Sequence, residues 1–222
     1  MKKITYLLLF GCLFMLQSCF ELIEQLVIKD DGSGNFQLLV NMSKSKTKLN
    51  SIRKMKVVNG HDVPTKEEIT RKISAIEQAA KNTPGITNVK TTVDFDNYIA
   101  SISCNFSKVA NLNAAIQNIA DRENGHKKPL EDSYQYDASG KTFSRLNKFF
   151  TKEAYQKMTN ADKEIFATAN YTGIFRFDSE VAASSNKESK LAANKKAVML
   201  KLNALDVIST KRSIENKINL VK

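Results

Sequence analysis

The sequence predicts an α+β fold: a largely antiparallel β-sheet built from hairpins, with about three helices packed on one face. Three observations predict it. Apolar residues alternate with period two in runs that flank Gly- or Asp-rich turns. Between those runs lie segments whose apolar residues recur at helical spacing. No long low-complexity linker divides the chain, and 42% hydrophobic with 26% charged content is ordinary for a folded domain.

The elements follow in order. Phe20, Leu22, Leu26 and Ile28 share one strand face, interrupted by Glu24. After the turn DDGSG the alternation resumes at Phe36, Leu38, Val40 and Met42, which completes a hairpin. Thr65 and Glu68 form a capping box, and Ile69, Ile73, Ile76 and Ala80 make the stripe of a helix that ends across Asn82 to Gly85. A second hairpin pairs Val89–Phe95 with Tyr98–Phe106. Leu112, Ile116 and Ile119 mark another helix. DSYQYD and KTFSRL form a third hairpin about ASG, followed by a helix from Thr151 to about Ala167. NYTGIFRFDSEV reads as a strand, SSNKESKLAANKK as a polar connection, AVMLKLNALDVI as a strong strand and SIENKINLV as a last short one. The hairpin-plus-helix unit recurs without visible sequence identity, so no repeat is assigned.

The N-terminus is organised differently. Met1-Lys2-Lys3 is a positive segment and Ile4 to Met15 an apolar one. It is shorter than the roughly 20 residues of a spanning helix and has the order of an export signal. Leu16-Gln17-Ser18-Cys19 resembles the lipobox of bacterial lipoproteins. The resemblance implies cleavage of residues 1–18, a diacylglyceryl group on the Cys19 thiol and an N-acyl chain such as palmitate on the new amine. The remainder, 19–222, is then one α+β domain anchored through Cys19. Each buried methylene contributes about 0.8 kcal/mol, so two or three chains hold a protein on a bilayer durably. Phe20 stands where an aspartate marks inner-membrane retention in enterobacterial sorting. This favours the outer membrane of a bacterial envelope.

The formal charge is +11, and loss of Lys2 and Lys3 with the leader lowers it to about +9, which implies anionic surroundings or partners. The densest basic stretch is SKSKTKLNSIRKMK, with Lys44, Lys46, Lys48, Arg53, Lys54 and Lys56 and no acid. It reads as a solvated loop or a strand edge guarded by lysines. Beside an anchor it also reads as a contact for anionic lipid or an envelope polymer. Nucleic acid is not an expected partner, because no aromatic residue interleaves the bases for stacking.

No catalytic or metal motif emerges. DDGSG places glycines where an EF-hand needs oxygen ligands. ASGKT lacks the leading glycine of a P-loop and runs into a strand. His61 and His126 each follow Asn-Gly in turns without metal-ligand spacing. Gly32-Ser33-Gly34 is a hairpin turn and not a nucleophile elbow. Asp94 and Asp96, and Glu131 and Asp132, read as solvated turn residues, and no cofactor is expected. Cys12 lies in the leader, and Cys104 shares a strand face with Ala100, Ile102 and Phe106, as a small core residue does.

The Lys-rich leader, LQSCFELIEQLVIKDDGSG and the late YTGIFRFDSEV and NKKAVMLKLNALD segments resemble small uncharacterised lipoproteins of Bacteroidetes-type bacteria. The element order is loosely similar to that of LppM-type lipoproteins, a resemblance that implies a domain able to accommodate lipid. Three functions follow: a non-enzymatic binding or scaffold lipoprotein with a protein or envelope-polymer partner; a carrier of lipid or another apolar ligand in a groove between sheet and helices; and an envelope hydrolase with a non-motif site. An over-large apolar cavity, or exposure of Phe149, Phe150, Phe175 and Phe177, would favour the carrier, while the same aromatics read equally as plain core; a cleft with converging carboxylates would favour the hydrolase.

Overall fold

The computed structural model describes residues 20–58, 60–124, 130–146 and 152–221. The leader, the lipobox with Cys19, His126, Phe149 and Phe150 lie outside the described residues.

The first alternating runs form a hairpin of β1 (Glu21–Ile28) and β2 (Gly34–Asn41). Its turn is built by Asp31, whose carboxylate accepts the Ser33 amide at 2.9 Å, and by Gly32 at φ 81°. Beyond β2 the chain makes a 3-10 turn at Ser43–Ser45, then α1 (Lys46–Ile52) and a minor hairpin of β3 (Val57–Val58) and β4 (His61–Asp62). The capping box is formed as the sequence predicts: Glu68 N–H donates to Thr65 Oγ1 at 3.1 Å, and Thr65 N–H to Glu68 Oε2 at 2.8 Å. It starts α2 (Lys66–Lys81). The second hairpin is β5 (Ile86–Asp94) with β6 (Ile99–Phe106), followed by α3 (Val109–Asn124). The third is β7 (Tyr134–Asp137) with β8 (Thr142–Arg145). Then come α4 (Lys152–Lys157), α5 (Asn160–Ala167), β9 (Asn170–Phe177), β10 (Val181–Ser184), β11 (Lys190–Leu191), β12 (Ala197–Asn203), α6 (Ala204–Ile208) and β13 (Asn216–Leu220).

The main sheet has seven strands in the order β11-β12-β9-β1-β2-β6-β5. All its pairings are antiparallel except β1 with β9, which joins the first hairpin to the late strands. Alternation fixed each strand but not its partner, because period two reports which side chains share a face and not which edge is filled. The third hairpin therefore joins a separate sheet, β10-β13-β8-β7, rather than extending the first. This second sheet and the helices α2 and α3 cover the same face of the main sheet.

Between the layers lies one large core, with Leu26, Ile28, Phe106, Leu112, Phe143, Phe175, Val198 and Ile218 among its buried residues. Phe143 packs its ring 5.2 Å from Phe175 and 5.7 Å from Phe177. Among the described residues, the core clusters and the strand pairings lie between Glu21 and Leu220.

Three readings are corrected locally. The basic stretch, expected as a loop or strand edge, is a 3-10 turn and a short helix up to Ile52, and only Arg53–Lys56 is an exposed loop that leads into β3. The run AVMLKLNALDVI is a strand only to Asn203, whose side chain accepts the Leu205 amide at 2.9 Å and the Asp206 amide at 3.3 Å and so starts α6. The helix expected from Thr151 breaks at Met158 and Thr159 into α4 and α5.

Candidate functional site

Strand register lines up one rim of the main sheet. Asn203, Asn170, Glu21, Asn41, Ile99 and Asp94 form a continuous row across six strands. Glu21, two residues after Cys19, stands in the middle of it. Phe20 is already fixed: its carbonyl accepts the Asn170 amide at 3.0 Å, and its ring meets Phe166 edge-on at 5.7 Å. Among the described residues the sheet rim therefore begins at Phe20.

The basic stretch leaves the same rim. Met42 follows Asn41, the register partner of Glu21, and its amide donates to the Tyr98 carbonyl at 2.9 Å. Tyr98 in turn secures α1: its hydroxyl donates to Asn50 Oδ1 at 2.6 Å and accepts from Arg53 Nη1 at 3.3 Å. Tyr98 holds a left-handed φ of 56°, uncommon for an aromatic residue, at the tip of the β5–β6 turn. Lys44, Lys46, Lys48, Arg53, Lys54 and Lys56 are all exposed, as are Met55 and Val57, at 53% and 52%. None of the six cations forms an ion pair with a described carboxylate.

Glu24, the interruption in the first stripe, meets a partner from the second sheet. Arg145 Nε donates to Glu24 Oε1 at 3.0 Å and Nη2 to Oε2 at 3.4 Å, and Tyr171 Oη donates to Oε2 at 3.2 Å. Arg145 Nη1 also donates to the Ser133 carbonyl at 3.2 Å, and the guanidinium lies 4.9 Å from the Tyr134 ring centroid. Both charges are 1% exposed. Burial alone would lower the Arg145 pKa, but the Glu24 charge beside it more than offsets this and raises it. Burial, reinforced by Glu24, pushes the Tyr171 hydroxyl well above its ordinary value. With its polar atoms satisfied and solvent excluded, the cluster ties two sheets together and offers no substrate access. Sequence reading found the oddity of Glu24 but not Arg145, 121 residues away.

The remaining features resolve as structural. Cys104 is 5% exposed, and burial pushes its thiol up to about 11, so it is not a thiolate at neutral pH. ASGKT is the β7–β8 turn, in which Asp137 Oδ1 accepts the Gly140 amide at 3.0 Å and Lys141 pairs with Asp30 at 2.9 Å. Asp94 accepts the amides of Asp96 and Asn97, each at 2.9 Å, as a turn residue. His61 is exposed in β4. Phe175 and Phe177 are core, 0% and 5% exposed. An open cleft of about 540 Å³ lies between α3 and residues 130–133, lined by Asp121, Glu131 and Asp132 together with Asn113, Gln117 and Ile116. Glu131 and Asp132 thus border a cleft and not only a turn. Among the described residues no group of three His, Cys, Asp or Glu side chains is placed to hold a metal ion.

A different feature distinguishes the rim. On the covered face of the sheet, residues far from it, such as Leu26, Ile28 and Phe106, are buried. Leu22, Leu38, Val40, Ala100 and Ile102, nearer the rim, are only half-buried, as are Ile69, Ile73 and Ile76 on α2, which packs against β5. Among the described residues no helix is long and apolar enough to cross a membrane.

No protein-family model matches the chain, and no curated protein matches it. Among solved structures, the NMR structure of the folded domain of the Mycobacterium tuberculosis LppM protein is similar, with 13% identity and a TM-score of 0.45 over 92% of this chain and 91% of that one.

Proposed function

We propose that the protein is a lipid-anchored lipoprotein of the bacterial cell envelope, with the outer membrane favoured, whose domain serves a non-enzymatic binding or scaffold role. The observation that carries this is the junction: Leu16-Gln17-Ser18-Cys19 runs into Phe20, which is hydrogen-bonded into the sheet rim. The anchor then fixes the domain against the bilayer rather than holding it on a flexible stalk. The test is the intact mass of the exported protein together with its partition between membrane and soluble fractions. The expected result is a mature chain starting at Cys19, heavier by two or three acyl chains, and release of Cys19→Ala from the acylated membrane pool. An unmodified N-terminus defeats the reading.

A second reading, binding of lipid or another apolar ligand, is supported by the half-buried apolar residues Leu38, Val40, Ala100 and Ile102 at the rim end of β2 and β6 and Ile69, Ile73 and Ile76 on α2. Native mass spectrometry of the exported domain tests it. A co-purifying mass that extracts into organic solvent supports the carrier, and a clean apo mass weakens it.

A further inference from the structure

We infer that the 3-10 turn, α1 and the segment through Val57 form a second membrane contact, a docking surface for the anionic phospholipid surface beside the anchor. The inference deepens the lipoprotein reading and rests on it for the position of the bilayer. Four observations converge. Asn41, from which the segment departs, is the cross-strand partner of Glu21, and neighbouring strands lie about 4.8 Å apart. The chain therefore leaves the rim beside Glu21, two residues after Cys19, and reaches the first cation of the segment, Lys44, three residues further on. Six exposed cations stand in 13 residues with no acid among them and no ion pair to a described carboxylate. Met55 and Val57 project between and beside Arg53, Lys54 and Lys56, the mixture of apolar and cationic side chains that suits a lipid interface.

The fourth observation is that the segment is poorly optimised for folding alone. Helix α1 has no side-chain N-cap, no acid in its first turn and no buried residue, and Lys46 and Lys48 lie in its first turn, at the end where the helix dipole disfavours cations. Lys46 and Lys48 lie in a helix, so edge protection does not account for those two lysines. The segment is nevertheless held in place, by Tyr98 through Asn50 and Arg53. Its positive charge is only partly offset, by Asp94 acting on Lys46 through space and by Asp62, Glu67 and Glu68 around the cleft that holds Arg53 and Lys56, and an anionic surface supplies further counter-charge. Two signals, an anchor and a basic patch, also make the stable combination for a membrane-held domain.

The test uses the chain from Cys19 onward carrying Cys19→Ser, so that no acyl chain contributes. It is sedimented with vesicles of phosphatidylcholine containing or lacking phosphatidylglycerol. Binding is expected only with the anionic lipid, and is expected to fall steeply in high salt, where exposed charges are screened within a few ångströms. Changing Lys44, Lys46, Lys48, Lys54 and Lys56 to Gln is expected to lower partition at least tenfold, since each base near the surface contributes severalfold. A matched variant changes Lys29, Lys187, Lys190, Lys195 and Lys196 to Gln, which are exposed and outside the segment. It removes the same charge and is expected to bind like the parent. Unchanged binding in the first variant, equal loss in both, or no binding by the parent overturns the inference. Circular dichroism verifies that both variants fold. Acylation of Cys19 is read separately by mass, so a failed anchor and a failed docking surface give different results.

Discussion

Glu24 and Arg145 show how one buried residue constrains another across the whole molecule. Each is 1% exposed, and each satisfies the other. Removing one partner strands a charge in the core at a cost of about 3–5 kcal/mol, whereas apolar replacement of both often costs little. Glu24→Leu is therefore expected to lower the urea midpoint sharply, and Glu24→Leu combined with Arg145→Met to recover most of the loss. Near-additive losses would show that the pair is not coupled. Gly173 belongs to the same site: it faces Glu24 across the β1–β9 pairing, and a Cβ there would lie 2.7 Å from Tyr171 Oη. Its missing side chain makes room for the hydroxyl that reaches Glu24.

Hairpins and capped helices were the most legible elements, because their signals are local. The Thr65–Glu68 box sits where its spacing predicts, and DDGSG is the turn that its glycines suggest. At Gly34 the constraint is close approach: a Cβ would fall 1.9 Å from the Val27 carbonyl oxygen, a backbone atom that cannot step aside. Gly34→Ala is expected to destabilise the domain by about 1–3 kcal/mol, as steric overpacking does, measured by urea unfolding. A neutral outcome would mean that the hairpin end opens freely. The boundary at Asn203 was less legible. The alternation of β12 runs straight into ALDVI, and only the side-chain cap of Asn203 reveals the change to helix.

At the scale of the whole molecule, charge and pH are linked. Asp30 is held below the usual carboxylate range by hydrogen bonds from Lys141 and Ser179, Glu77 by Lys81 and Thr91, and Asp94 by Asn97. A carboxyl whose folded value is depressed stabilises the fold above its unfolded value, about 4, and loses that contribution as pH falls through the folded value. Lys141 has the opposite sign: raised chiefly by its hydrogen bond to Asp30, it contributes below its unfolded value of about 10.4 and loses this as pH rises further. The urea midpoint is expected to decline below about pH 4, where protonation removes these interactions. An unchanged midpoint down to pH 2.5 would contradict that linkage.

The sequence by itself determined the α+β class, the hairpins, the capped helices, the resemblance of residues 16–19 to a lipobox and the richest run of positive charge. Each is encoded within a few residues, where turn chemistry, periodicity or net charge acts locally. Tertiary structure decided which strand joined which: the parallel β1–β9 pair, the separate second sheet and the burial of Glu24 against Arg145. It also decided that the basic run leaves the rim row to which Phe20 leads. The parallel pair and the Glu24–Arg145 contact join residues more than a hundred positions apart, and no local pattern specifies the partner.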